Sequence, residues 1–165
     1  MAIDATVGSP TMNSYVTAAE AAAYFAQRLN ATAWAANASK QEPGLVQARR
    51  RLDAESYLGQ RVSPTQTCAW PRDNETDPIT GEDLVGTTVP SSVKDAQCEM
   101  WLALVAADGD LFADTGMEAF SQVTVGPLAV TLRDDTLASD LPIMVERLLA
   151  PYLISSGGSF RLVRG

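Results

Sequence analysis

The chain has 165 residues, 46% of them hydrophobic. That is enough for one compact domain burying about two-thirds of its surface, and too little for a second full domain. The mean hydropathy is −0.02, and no apolar run approaches the roughly 20 residues that a membrane span needs. The net charge is −8, from 12 Lys and Arg against 20 Asp and Glu, which works against the phosphate neutralisation on which nucleic-acid affinity rests.

There is no histidine, so the usual neutral-pH proton shuttle and the usual imidazole metal ligand are missing. The two cysteines, Cys68 and Cys98, have no CxxC or histidine partner and read as small buried hydrophobes rather than a zinc site. The opening MAIDATVGSPTMNS has no basic region followed by an apolar core. The expectation is therefore no secretory leader and a protein made in the cytoplasm.

Residues 1–12 are small and polar, with Gly8 and Pro10, and predict an extended arm. Thr17 and Glu20 spell a capping box, with Val16 in the staple position, so a helix is expected over Ala18–Gln27. Asn30 ends it, and Ala31–Ala36 has room for one short turn carrying Trp34. Ser39 and Glu42 repeat the cap pattern ahead of Pro43, and the helix they open is expected to run to Leu58 and stop at Gly59. Residues 60–88 carry three prolines, two glycines and no helical period. They predict a long loop with short strand pieces, pinned to the core by Val62, Trp70 and Leu84.

Pro90 opens the next helix, with Ser91 or Ser92 as its cap. Val93, Ala96, Met100, Leu104 and Ala107 recur at i, i+3 and i+4, which makes this the central helix, ending near Asp108-Gly109. Val123 and Val125, then Val130 and Leu132, alternate on either side of Gly126-Pro127 and predict a hairpin over 121–133. Asp140 should cap a last helix with Pro142 in its first turn. Its apolar face would be Ile143, Val145, Leu148, Leu149 and Leu153, and Pro151 would end or kink it. The chain closes with Gly157-Gly158 and the alternating Phe160-Arg161-Leu162-Val163-Arg164. The fold class expected is mainly α: a four-helix body over 13–154, with a small β-hairpin, a long central loop and an extended C-terminal tail over 155–165.

No catalytic constellation is present. Without histidine neither a Ser-His-Asp nor a Cys-His arrangement exists, and there is no P-loop or GxGxxG loop. The expectation is a protein that is not an enzyme and uses no cofactor. Asp73, Glu75, Asp77, Glu82 and Asp83 faintly resemble a calcium loop but lack the EF-hand order, so a solvated acidic loop is the plainer reading. Arg49, Arg50 and Arg51 form the only basic cluster. On a helix they point in three directions, and they read either as solvated and internally paired or as contacts to an acidic partner, protein or DNA. Trp34, Trp70 and Trp101 could stack on bases, but core packing explains them better, with Trp70 in the loop also a candidate partner contact. The tail keeps large apolar side chains beyond a glycine hinge. That suits addition to a sheet edge or insertion into a groove, and its residues from Ser155 onward would reach about 35 Å.

Several motifs occur in order: N-S-Y-V at Asn13–Val16, R-R-x-L-D at Arg49–Asp53, C-A-W-P-R at Cys68–Arg72, V-P-x-x-V-K at Val89–Lys94, V-G-P-L at Val125–Leu128 and the closing R-L-V-R-G. From about residue 13 to 165 the chain resembles small phage and prophage proteins encoded among head and neck genes. Some of these are labelled DnaT-like single-stranded-DNA-binding proteins; they also look like head–tail connectors of tailed phages. The resemblance implies a structural adaptor of a double-stranded DNA bacteriophage, a dodecameric ring in the virion neck. Its partners would be the portal protein, a tail or neck protein and further copies of itself, with DNA only as transiting genome and no membrane. The portal-binding segment implied is Ser159, Phe160, Arg161, Leu162, Val163, Arg164 and Gly165. The net charge of −8 suits a channel through which DNA slides. The alternative is a single-stranded-DNA-binding replication accessory protein.

Overall fold

The computed structural model describes residues 2–29, 32–108, 122–125, 128–131 and 141–154. The fold is mainly helical, as expected. Its elements are α1 (Ala18–Ala26), α2 (Thr32–Ala36), α3 (Gln41–Leu52), β1 (Gln60–Arg61), β2 (Arg72–Asp73), α4 (Ser91–Ala106), β3 (Gln122–Val125), β4 (Leu128–Thr131) and α5 (Ile143–Leu149). The short turn around Trp34 is a helix in its own right, which makes five helices among the described residues.

α1 starts where its capping box predicts. Thr17 Oγ1 accepts from Glu20 N at 3.1 Å, and Glu20 Oε2 accepts from Thr17 N at 2.7 Å. α4 is the central helix, buried at Val93, Ala96, Met100, Trp101 and Leu104 and packed against α1, α3 and α5. It begins one residue earlier than a serine cap would place it. Pro90 is the N-cap; its hydrocarbon ring offers no side-chain acceptor, and its carbonyl accepts from Val93 N and Lys94 N. Trp101 forms an aromatic cluster with Phe25 and Trp34, with ring centroids 4.8–5.2 Å apart. α3 lies so close that a Cβ at Gly44 would sit 2.7 Å from the Trp101 ring.

α3 differs from expectation at both ends. Ser39 lies inside a 3-10 turn over Ala38–Lys40, so it cannot take the extended backbone that a cap needs. The helix starts at Gln41 with no side-chain cap. It ends at Leu52 rather than Leu58, because Tyr57 must turn inward. The Tyr57 hydroxyl donates to the Leu52 carbonyl at 2.8 Å, satisfying the helix end. The chain beyond it pairs with the C-terminal stretch: Leu58 N donates to Tyr152 O at 2.8 Å, and Ile154 N to Ser56 O at 2.9 Å.

The loop over 60–88 carries β1 and β2, paired antiparallel with Gln60 opposite Asp73 and Arg61 opposite Arg72. Gly59, at φ +71°, makes this possible, since a Cβ there would meet Asp73 O at 2.6 Å. Trp70 pins the loop, stacked edge-on to Tyr57 and Tyr152, and Leu84 is half-buried. Val62 does not pin it: the side chain is exposed and rests on Gly86 instead of reaching the core.

Residues 2–12, where an extended arm was expected, close into a loop around Asp4. Its carboxylate accepts from Ser9 Oγ at 2.6 Å, Thr11 Oγ1 at 2.7 Å and Thr6 N at 2.9 Å. β3 and β4 form the expected hairpin, Val125 opposite Leu128; Leu132 lies outside the described residues. Asp140, expected to cap α5, also lies outside them, and Pro142 is the N-cap. α5 buries Val145 and Leu149 but leaves Ile143 exposed, so its apolar face is narrower than expected. It ends at Leu149, just ahead of Pro151.

Leu104 is 3% exposed at the end of the central helix. Leu104→Ala is expected to cost about 2–5 kcal/mol, read as a lowered denaturant midpoint at unchanged slope.

Candidate functional site

Three of the motifs that carry the resemblance converge on one partly buried polar hub. Arg49 Nη1 pairs with Asp53 Oδ2 at 2.7 Å, the two side chains only 12% and 13% exposed. Asp53 Oδ1 accepts from the Tyr15 hydroxyl. That hydroxyl in turn accepts from Trp70 N at 3.3 Å, and Arg49 Nε donates to Asn13 O at 3.3 Å. Close by, Cys68 Sγ donates to Met12 O at 3.3 Å. Arg72 donates to the carbonyls of Tyr57, Leu58, Gly59 and Ala69 at 2.6–3.2 Å. N-S-Y-V, R-R-x-L-D and C-A-W-P-R thus hold the N-terminal segment, α3 and the long loop together.

Of the four candidate partner contacts, only Arg50 stands open to solvent. Arg49 belongs to the hub, Arg51 pairs with Glu55 at 2.7 Å, and Trp70 is 1% exposed. The Trp70 indole N–H has no hydrogen-bond partner among the described residues. Trp34 and Trp101 are buried as well, which leaves no tryptophan platform for a base. The segment Ser159–Gly165 lies outside the described residues.

Two buried polar side chains escaped the reading of the sequence, although both sit in its central helix, where a charged or amide group calls for a partner. Gln97 Nε2 donates to Ser14 Oγ and to Leu45 O, both at 2.8 Å, and its Oε1 accepts from Tyr15 N at 2.8 Å. Glu99 accepts from the Tyr24 hydroxyl at 2.6 Å and from Arg28 Nε and Nη2 at 2.5 and 2.9 Å. Both groups are structural ties between α4 and the N-terminal part of the chain.

The acidic loop does not bring its carboxylates together as metal ligands. Among the described residues no three His, Cys, Asp or Glu side chains are placed to hold a metal. Asp73, Glu75 and Asp83 border an open recess of about 460 Å³, while the Asp77 carboxylate accepts from Ile79 N at 2.8 Å and from the Tyr152 hydroxyl at 3.1 Å. Both cysteines are free and buried, and burial, with Asp95 and Glu99 nearby, pushes the Cys98 thiol up to about 12.

A family described as "Putative DnaT-like ssDNA binding protein" matches the chain over residues 1–165. The chain belongs to that family. The description bears out the DnaT-like part of the resemblance and says nothing of a portal or a neck. No curated protein and no solved structure matches the chain significantly.

The hub predicts a large loss when it is broken singly. Asp53→Ala leaves Arg49 and the Tyr15 hydroxyl without their acceptor and should cost about 3–5 kcal/mol; Tyr15→Phe should cost about 1.5–3 kcal/mol. Both are measured by chemical denaturation. All four tyrosines have hydroxyls raised above the usual value of 10.0: Tyr15 and Tyr57 by burial, Tyr24 by burial and then Glu99, and Tyr152, by burial and then Asp77, to about 12. A raised value stabilises the fold below pH 10 and is lost as the pH climbs through the folded-state values. An ultraviolet titration should therefore find no phenolate at pH 10, then ionisation together with alkaline unfolding.

Proposed function

We propose that the chain is a non-catalytic assembly subunit, a head–tail adaptor that forms a ring between the portal and the tail of a double-stranded DNA bacteriophage. The observation that carries this reading is the placement of the groups that could grip nucleic acid. The three tryptophans are buried, and two of the three clustered arginines are paired with Asp53 and Glu55. What the described body offers to solvent instead is an acidic loop and large apolar side chains, among them Leu29, Ile79, Val85, Ile143 and Ile154, each more than half exposed. Such side chains suit contact with protein neighbours rather than phosphates. The resemblance of the ordered motifs to neck proteins supports the same reading and supplies the partners: portal, a tail-side protein and copies of the chain. In this reading Phe160–Gly165 docks on the portal.

The family description favours a second reading, binding of single-stranded DNA in replication. In the described body that function would fall to Arg50, Arg61 and Arg147, the exposed arginines with no ion-pair partner among the described residues.

Electron cryo-microscopy of the particle's neck separates the two. A ring of this chain on the portal is the expected result. Removing Phe160–Gly165 should then leave the circular dichroism spectrum unchanged and abolish co-purification with portal. If the chain is absent from the particle and binds single strands with an affinity that falls steeply with salt, the second reading takes its place.

A further inference from the structure

The described surface carries a projection and a groove at opposite ends of one helix pair. α3 and α4 run antiparallel, since Trp101 Nε1 donates to Lys40 O at 3.0 Å and Gln97 Nε2 to Leu45 O at 2.8 Å. The long loop leaves the C-terminal end of α3 and returns at the start of α4. Within it, residues 75–84 form a tongue. Leu84 N donates to Glu75 O at 2.8 Å, Asp77 N to Glu82 O at 2.7 Å and Gly81 N to Asp77 O at 2.8 Å. The Tyr152 hydroxyl fastens the tongue to the body through Asp77. Ile79 stands at its tip, 57% exposed. Glu82 and Asp83 flank it on the surface, and no Lys or Arg lies between Arg72 and Lys94.

At the other end of the pair is a groove of about 150 Å³, lined by Pro43, Gln47, Leu104 and Val105, with the ion pair of Lys40 and Asp108 on its rim. Pro43, Gln47 and Arg50 are all exposed and follow i, i+4 and i+7, so one face of α3 leads from the groove to a cation with no ion-pair partner among the described residues.

We propose that Ile79 of one copy seats in this groove on the next copy, with Glu82 and Asp83 against Lys40 and Arg50. The proposal rests on the ring reading and names its subunit contact. A space of this size takes a group as large as benzene, which covers an isoleucine side chain. The bond from Lys40 to Asp108 is no obstacle, because a pair this exposed contributes little. α3 has 12 residues and is about 18 Å long, and Ile79 is not among the residues that line the groove of its own copy. The contact is therefore head-to-tail, the kind that repeats into a closed ring or a filament.

Sedimentation velocity of the full chain over a concentration series tests this. Wild type should self-associate. Ile79→Asp in the tongue, or Lys40→Glu with Gln47→Glu in the groove, should each weaken association by more than about tenfold, with circular dichroism unchanged. Mixed together, the two variants should form a one-to-one dimer, because the first keeps an intact groove and the second an intact tongue. A wild type that stays monomeric at the highest concentration, variants that associate like wild type, or a mixture with no dimer would each overturn the proposal. The ring reading is judged separately in the neck. A ring there whose neighbours touch elsewhere defeats the tongue contact alone, and a neck without the chain defeats the ring reading alone.

Discussion

The carboxylate of Asp53 is the constraint on which the rest of the body depends. It sits just past the last turn of α3, is held by Arg49 one turn back, and takes the hydroxyl of Tyr15 from the segment ahead of α1. Tyr15 in turn supports the backbone of Trp70 and, through its own N–H, meets Gln97 on α4. Four stretches far apart in sequence thus share a short chain of bonds. In a low-dielectric setting each bond polarises the next, and each unpaired member would be costly. N-S-Y-V, R-R-x-L-D and C-A-W-P-R, which carry no catalytic logic, together encode this joint.

Much of the fold was legible from the chain. The capping box of α1 and the i, i+3, i+4 pattern of α4 are local signals that tertiary structure did not override. α3 was misread at both ends for a physical reason. Its Ser39 cap and its run to Leu58 rest on nearby residues, whereas the real boundaries are set by Trp101 at one end and by Tyr57 and Tyr152 at the other. Val62 and Ile143 were misjudged in the same way, since hydrophobicity alone does not say whether a neighbour is within reach.

The candidate site was less legible than the fold. An arginine triplet and a tryptophan in a loop look alike in sequence whether they face a partner or a core. What separates the two is a paired carboxylate one turn away, and Asp53 and Glu55 stand at i+4 from Arg49 and Arg51. Gln97 and Glu99, polar groups inside the central helix, were the clearest pointers to long-range ties and would have marked where the N-terminal segment packs.

The pairing of residues 56–58 with 152–154 has a mechanical consequence. A tensile load applied beyond Ile154 first meets the Ile154 N–H bond to Ser56 and the Leu58 N–H bond to Tyr152, which tie the end of the described body to the residues that follow α3. From there the load passes through Tyr57 to the last carbonyl of α3, and through Tyr152 to Asp77 in the tongue. Tension on the C-terminus is thereby shared between the helix pair and the loop, so whatever pulls on one end of this chain also strains the tongue.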